Sequence, residues 1–259
     1  MSLNYVSGKK IANVFDKREN LIESVYYKEI DEKDKREVNN KLRINEKEGY
    51  IFPNIEKFDK NNEQTERLVV LGSSGSGKST FIREYIYHWQ KIYPKSPIFL
   101  FSSKKQDKTL DDIKGLKRVE IDDDILSNPI TISEITMKKS DAYLILFDDI
   151  QSYSNKKIIA EVHRFCEECL MNGRSYGIYT IVSHHQPTDY RATRTYLIEA
   201  TSVIIFPKRS SNNIYNYLLE KKLMLSKNNI NLINTLNSNW VCIRQHHPTA
   251  IISDKYILI

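Results

Sequence analysis

The residue types and spacing of a phosphate-binding loop occur in a glycine-rich stretch, Gly72-Ser73-Ser74-Gly75-Ser76-Gly77-Lys78-Ser79. This stretch fits the pattern G-x-x-x-x-G-K-[ST], in which backbone N–H groups and the N-terminus of a helix surround an anion. Lys78 is expected to reach the β- and γ-phosphates of a nucleoside triphosphate, and the Ser79 hydroxyl to hold Mg²⁺. An apolar strand before the loop and a helix after it agree with this prediction. The expected nucleotide-binding residues are Gly72, Ser73, Ser74, Gly75, Ser76, Gly77, Lys78, Ser79 and Thr80.

A pair of adjacent acids follows a second apolar strand, Tyr143–Phe147. Acids at the carboxyl end of such a strand lie where open α/β sheets bind their ligands, so this is the pattern of a Walker B strand. We expect Asp148 to hold Mg²⁺ opposite Ser79, and Asp149 to polarise the attacking water. A nucleotide switch needs only the magnesium acid, so the second acid favours an ATPase.

Other classes of phosphate-loop protein fit less well. The segment Asn155-Lys156-Lys157-Ile158 lacks the acid of the guanine-specific N-K-x-D motif. The sequence also lacks the L-S-G-G-Q motif of transporter ATPases and the arginine-rich lid of a small nucleotide kinase. His163, Cys166 and Cys169 lie at three-residue steps on a predicted helix, which does not gather three ligands around one metal, so we expect the two cysteines on the buried face.

Strands and helices alternate after the loop. Expected strands are 68–71, 98–101, 119–121, 143–147, 178–183 and 202–206, and expected helices are 80–93 and 157–171, the second ending at a C-cap at Asn172-Gly173. Residues 240–245 and 250–253 are expected to form a terminal hairpin. The pattern predicts an α/β fold, a three-layer P-loop NTPase of the additional-strand, RecA-like type, with a mainly parallel central sheet, helices on both faces and a C-terminal β-hairpin.

The N-terminal residues differ in composition from the rest. Between Lys28 and Glu48, 14 of 21 residues are charged. A solvated helix or a mobile arm is the favoured interpretation, and a docking arm for another protein is the alternative. We therefore predict a charged N-terminal extension over residues 1–57 and a P-loop ATPase domain over residues 58–259.

Two further positions are candidates for catalysis. Ser183-His184-His185-Gln186 ends the strand after Walker B, where a polar side chain can contact the γ-phosphate. We prefer His185 as this sensor and leave His184 and Gln186 open. Arg174 precedes the same strand, so it lies at the opposite sheet edge, roughly 20 Å from its own loop at ~3.3 Å per residue. It is better placed to act in trans on a neighbour's nucleotide.

The block from Asn172 to Pro187 resembles the FtsK–HerA superfamily of DNA-pumping ATPases, whose members carry a G-R-x-x-G-I-like segment before the sensor strand. Within that superfamily the chain looks most like the genome-packaging ATPases of nucleocytoplasmic large DNA viruses, virophages and related transposons. The Asp148-Asp149 pair and the segment 191–200 point the same way. The second acid is Asp instead of the superfamily's Glu, and the sensor is His instead of Gln.

The resemblance implies a ring-shaped homo-oligomer, a hexamer, with ATP and Mg²⁺ as cofactors and double-stranded DNA in its channel. A capsid or portal-like protein is an implied partner. The net charge of +6 is compatible with DNA. The basic residues considered for phosphate contacts are Lys104, Lys105, Arg191, Arg194, Lys208, Arg209, Lys221 and Lys222. Two rival functions remain, a remodelling or helicase-type ATPase and an ATP-gated scaffold with negligible turnover.

Composition indicates the number of domains and the compartment in which the protein is expected. The chain has 259 residues, 40% of them hydrophobic, which suits one large α/β domain with or without an arm. No apolar run approaches the ~18 residues that span a bilayer, and Met1–Tyr5 lacks the apolar segment of a signal peptide. Three cysteines fit a reduced compartment. We expect no membrane partner, no secretion, and a location in the host cytoplasm at the viral assembly site or in the virion.

Overall fold

The computed structural model describes residues 1–29, 39–45, 47, 49–61, 63–186, 190–209 and 212–259, with only the backbone at 190–192, 209 and 212–214. Its strands are β1 (Ser2–Asn4), β2 (Lys9–Phe15), β3 (Leu21–Lys28), β4 (Lys41–Arg43), β5 (Tyr50–Pro53), β6 (Arg67–Leu71), β7 (Ile98–Ser102), β8 (Leu116–Val119), β9 (Tyr143–Asp148), β10 (Ile178–His184), β11 (Ser202–Ile205), β12 (Val241–Arg244), β13 (Ala250–Ser253) and β14 (Tyr256–Leu258). Its α-helices are α1 (Lys78–Ile92), α2 (Asp124–Ser127), α3 (Ile132–Thr136), α4 (Lys156–Asn172), α5 (Tyr190–Glu199), α6 (Asn212–Tyr217) and α7 (Lys227–Thr235).

The chain falls into two compact units, and the larger comprises Ile55–Thr201. Its sheet is parallel, in the order β8-β7-β9-β10-β6. Strand β10 is inserted between the strand before the glycine-rich loop and the Walker B strand, with Ser183 opposite both Val70 and Asp148. This is the additional-strand arrangement, and the predicted α/β fold class is confirmed.

Apolar periodicity explains the packing of this unit. All six residues of β9 and all seven of β10 are buried, as expected for central parallel strands with both faces covered. Helix α1 buries Phe81, Ile82, Tyr85, Ile86 and Trp89, the face that its 3–4-residue spacing predicts. Helix α4 buries Ile158, Val162, Phe165, Cys166, Cys169 and Leu170, again the predicted face. Each large side chain contributes about 1.5–3 kcal/mol by leaving water.

Two buried tyrosines tie the entry of this unit to its core. The hydroxyls of Tyr93 and Tyr179 lie 2.9 Å apart. The Tyr179 hydroxyl donates to the Glu56 carbonyl, and the Phe58 N–H donates to the Tyr93 hydroxyl, both at 2.5 Å. The segment that leads into β6 is therefore fixed to the end of α1 and to β10.

The second unit combines residues 1–54 with residues 202–259. Strands β1, β3, β2 and β5 form a four-stranded antiparallel sheet in that order. The first strand begins at Ser2, and Ile11, Ala12 and Val25 are buried in this unit. The favoured helix or arm over 28–48 falls largely outside the described residues, although β4 lies within that segment. The predicted division at residues 57 and 58 stays a prediction.

The C-terminal part of the second unit is antiparallel, in the order β4-β14-β13-β12-β11. Strands β12 and β13 form the predicted terminal hairpin, and β14 extends it by one strand. The short strand is Leu116–Val119 instead of 119–121, so its predicted bounds were wrong. Helix α4 ends at its predicted C-cap, with Gly173 right-handed at φ −59°, and the left-handed glycine that follows is Gly177 at φ 72°.

Candidate functional site

The glycine-rich loop joins β6 to α1. Gly75 and Gly77 have φ of 73° and 109°, in the left-handed range that side chains with a Cβ rarely adopt. A Cβ at Gly75 would meet no described atom within 4 Å, so its φ alone requires glycine. The loop is fastened to the sheet by a hydrogen bond of 3.2 Å from the Gly72 N–H to the His184 carbonyl. Thr80 lies exposed in the first turn of α1.

Lys78 is the buried cation of the loop, 6% exposed. Its ammonium donates to the carbonyls of Gly72 at 2.7 Å and Ser73 at 3.2 Å, and lies 2.8 Å from His185 Nδ1. Burial lowers the pKa of Lys78, while the charge of Asp149 acts to raise that pKa. All three of its N–H donors are therefore engaged, and the ammonium is held at the mouth of the loop.

Asp148 is the last residue of β9 and Asp149 follows it; they are 2% and 1% exposed. Asp149 has φ 52° and ψ 35°, a left-handed conformation that is uncommon outside glycine and concentrated at functional sites. Burial raises the pKa of Asp148, and the charge of Asp149 raises it further. Burial also acts to raise the pKa of Asp149, but hydrogen bonds from Lys104 and His185 outweigh it and lower that pKa. The pKa values of these two adjacent acids are therefore shifted in opposite directions.

Of the three sensor candidates, the structure brings His185 to the site. Its Nδ1 faces the Lys78 ammonium and its Nε2 contacts Asp149 Oδ1. This geometry fits a neutral ring that accepts at Nδ1 from Lys78 and donates from Nε2 to the carboxylate. His184 is instead buried in β10, where its Nδ1 accepts from the Gln186 N–H at 3.0 Å, and Gln186 is exposed.

The oxygen groups expected to hold Mg²⁺ fit that ion, which prefers a few carboxylate and hydroxyl ligands with waters and nucleotide phosphates. Ser79 lies in the first turn of α1, and its hydroxyl is 3.5 Å from Asp107 Oδ2. The buried Asp148 carboxylate is the second expected ligand, and Asp107 adds an acid that the sequence motifs do not contain. The loop likewise fits a nucleotide, because it presents left-handed glycines and a buried lysine.

Arg174 lies away from these groups. It is exposed in a 3₁₀ turn, Gly173–Tyr176, just before β10. The seven residues of β10 separate it from the His185 end of the strand, a span of roughly 23 Å at ~3.3 Å per residue. Arg174 therefore lies at the opposite edge from its own loop, as predicted. Its role in trans stays a proposal.

Sequence reasoning missed a residue of the site, Lys104, which was considered only for contacts to DNA phosphates or as a solvated surface charge. Its ammonium contacts Asp149 Oδ2 and lies 3.6 Å from Asp148 Oδ2. Burial acts to lower the pKa of Lys104, but the hydrogen bond to Asp149 and the Asp148 charge outweigh it and raise that pKa. The available signal was topological, because Lys104 follows β7, whose carboxyl end shares the sheet edge of β9.

The other basic candidates lie elsewhere. Lys105, Arg194, Lys208 and Lys221 are exposed, and the ammonium of Lys221 lies 3.0 Å from Glu220. Lys222 is half-buried, with its ammonium 5.5 Å from the Tyr217 ring centre. The side chains of Arg191 and Arg209, and Pro187 of the resemblance, lie outside the described residues.

The helix α4 residues that invite a metal interpretation are packed in the core. Cys166 and Cys169 are fully buried, as predicted, and burial raises the pKa of both thiols well above the usual value. His163 Nδ1 contacts the Tyr196 hydroxyl, and the two rings stack with centres 5.8 Å apart. Within the described ranges, no group of three or more His, Cys, Asp or Glu side chains is arranged around a metal position.

The chain was compared with protein families and with known proteins. No family model matches it. The uncharacterized protein V3 of Sputnik virophage is 36% identical over 188 residues, which are 72% of this chain and 74% of that protein. This chain belongs to the family of that virophage protein.

Solved structures show that the fold of this chain occurs in known proteins. The pCW3 conjugation coupling protein TcpA with ATPγS has a TM-score of 0.54 at 12% identity, over 90% of this chain and 73% of that one. The cytoplasmic domain of the Thermomonospora curvata type VII secretion ATPase EccC has a TM-score of 0.51 at 11% identity, over 95% of this chain and 28% of that one. The DNA-packaging ATPase B204 of Sulfolobus turreted icosahedral virus has a TM-score of 0.49 at 18% identity, over 72% and 96%.

The glycine-rich loop, the acid pair and His185 all lie within the unit Ile55–Thr201. None of the helices in the described ranges is long and apolar enough to cross a membrane.

Proposed function

We propose that this protein is an ATP-hydrolysing DNA translocase that packages viral double-stranded DNA into a capsid and works as a ring oligomer. The observation that carries the hydrolytic part is the set of contacts Lys78–His185–Asp149, which joins the phosphate loop to the acid that would polarise water. Kinship with a virophage protein supports the viral setting. The oligomer is proposed as a hexamer, a capsid or portal-like protein as its partner, and the host-cell assembly site or virion as its location.

The residues of the site divide the work of hydrolysis. Residues 72–80 would bind the phosphates of ATP, with the Lys78 ammonium on the β- and γ-phosphates. Ser79 and Asp148 would hold Mg²⁺, which would supply positive charge against the negative charge that develops on the phosphates. Asp149 would orient and polarise the attacking water, and its lowered pKa keeps it ionised at neutral pH. His185 contacts both Lys78 and Asp149, so it is placed to report the state of one to the other.

A ring is proposed because Arg174 lies at the far edge of its own sheet. An arginine that stabilises the charge of a transferring phosphoryl group can be supplied by a neighbouring subunit. We expect that mixing Arg174→Ala subunits with Lys78→Ala subunits restores part of the activity that each variant lacks alone. Mixed rings contain interfaces where an intact loop meets an intact arginine.

The mixing experiment is read as turnover against mixing ratio. The Lys78→Ala preparation and the Arg174→Ala preparation, each diluted with buffer alone, give the baseline turnover. Turnover that stays at that baseline at every ratio would count against the shared site. Arg164→Ala is a matched control, because Arg164 lies on α4 in ion pairs with Glu161 and Glu168 at 2.7 and 2.9 Å.

Coupling to DNA is the second test. We expect long duplex DNA to raise the ATPase rate about tenfold or more, and increasing salt to remove that stimulation, because phosphate contacts release counterions. The measurement is ATP turnover with and without long duplex DNA, together with sizing in ATP. Turnover that ignores DNA would support the remodelling alternative instead, and nucleotide binding without turnover would support the scaffold.

A further inference from the structure

A lysine outside both nucleotide motifs reaches the acid pair from the surface. The side chain of Lys104 is 42% exposed, while the carboxylates it contacts are 2% and 1% exposed. A lysine carries its charge on a flexible four-carbon stem. The ammonium can therefore leave the acids by rotating its side chain, whereas Asp148 and Asp149 are held at the end of a buried strand.

The backbone of Lys104 is fixed on several sides. Its N–H donates to the Ser102 hydroxyl at 3.2 Å, and its carbonyl accepts from Arg118 Nη1 at 2.7 Å. Arg118 is itself paired with Asp111. The neighbouring Ser103 hydroxyl donates to the Asp149 carbonyl at 2.8 Å, which joins the two loops directly. The backbone of Lys104 is therefore held next to the acid pair, while its side-chain ammonium can move.

In this arrangement each carboxylate oxygen of Asp149 contacts a side chain. His185 Nε2 contacts Oδ1 and Lys104 Nζ contacts Oδ2. A carboxylate that polarises water must present an oxygen lone pair to that water, and departure of one of the two partners would expose such an oxygen fully. His185 is also held by the buried Lys78, whereas Lys104 comes from the exposed side, so Lys104 is the partner that is free to move.

We propose that Lys104 is a γ-phosphate-binding residue, which neutralises Asp148 and Asp149 in the nucleotide-free site and moves to the γ-phosphate when ATP binds. This movement frees Asp149 Oδ2 for the attacking water. The Lys104 ammonium exchanges its carboxylate partners for the γ-phosphate. ADP has no γ-phosphate and leaves Lys104 on the acids. This inference rests on the proposed function, because it requires an ATP site at residues 72–80.

The inference predicts selective loss of triphosphate affinity. In Lys104→Met, which keeps the stem and removes the charge, ATPγS should bind about tenfold more weakly, the order expected for one charge-assisted hydrogen bond. ADP affinity should change less than about twofold. Lys104→Arg, which keeps the charge, should retain the preference for ATPγS. Isothermal titration of the full chain with each nucleotide in Mg²⁺, without DNA, gives the affinities.

Lys108→Met is the matched control, because Lys108 is an exposed lysine of the same loop. It should bind both nucleotides as the unchanged protein does. Equal weakening of ATPγS and ADP in Lys104→Met, or no weakening, would overturn the proposal, as would a Lys104→Arg variant that behaves like Lys104→Met. Each of these results leaves the proposed ATPase intact, whereas an unchanged protein that binds neither nucleotide would overturn both.

Discussion

Replacing Lys78 with alanine is expected to lower the ATPase rate by at least about 10³-fold, the scale at which charged groups stabilise a transferring phosphoryl group. The ammonium is buried and held at the loop by the carbonyls of Gly72 and Ser73, so another side chain cannot easily take its place. Nucleotide affinity should fall as well, because Lys78 is expected to contact the phosphates in the ground state. Steady-state turnover and nucleotide titration measure the two effects.

A second lysine of α1 provides the control for this experiment. Lys91 is exposed near the end of the helix, with its ammonium 4.3 Å from the Tyr87 ring centre. Lys91→Ala removes the same number of atoms and the same charge from the same helix, and turnover should stay within about twofold because surface substitutions usually change little. A Lys78→Ala protein that is folded and hydrolyses ATP at the unchanged rate would refute the assignment of the loop.

Replacing Asp149 with asparagine is expected to separate binding from hydrolysis. The change keeps the size of the buried side chain and removes the charge that would polarise water, so turnover should fall by about 10²–10⁴-fold, the usual contribution of a general base. Nucleotide affinity should change by less than about threefold, because the phosphates are expected to contact the loop and not Asp149. Single-turnover rates and ATPγS affinity test the two statements.

The control for Asp149 is an acid on the surface. Asp112 is exposed, and Asp112→Asn makes the same chemical change on the surface instead of in the buried pair, so it should leave turnover unchanged. Near-normal turnover in Asp149→Asn would remove this residue from the role of base. A loss of ATPγS binding as large as the loss of turnover would show instead that Asp149 holds the nucleotide.

The fold of the nucleotide-binding unit could be predicted because its signals are local. The apolar run of β9 specifies a central parallel strand, and the 3–4-residue spacing on α1 and α4 specifies which faces are buried. The insertion of β10 beside β6 followed from recognising the class, since strand order is set by contacts far apart in the sequence. The choice among His184, His185 and Gln186 stayed open in the sequence; in the structure His184 is the last residue of β10 and is buried like the rest of that strand, whereas His185 follows it and contacts Lys78.

Other parts of the structure could not be predicted from local patterns. Strands β2 and β3 bury alternate or paired apolar residues among many charges, so that no apolar period is visible over residues 1–29. The contacts of Lys104 depend on the side-chain position of a loop residue, which carries no sequence signature. Asp107 approaches Ser79 for the same reason, through a turn in which the Thr109 N–H donates to the carboxylate at 2.9 Å.

The position of β10 has a mechanical consequence. This strand is paired over five residues with β6 and over six with β9, so sliding it by one residue would break two ladders at once. His185 follows one end of this strand, and Arg174 lies just before the other. If Arg174 completes a neighbour's site, a single doubly paired strand links residues of two successive sites.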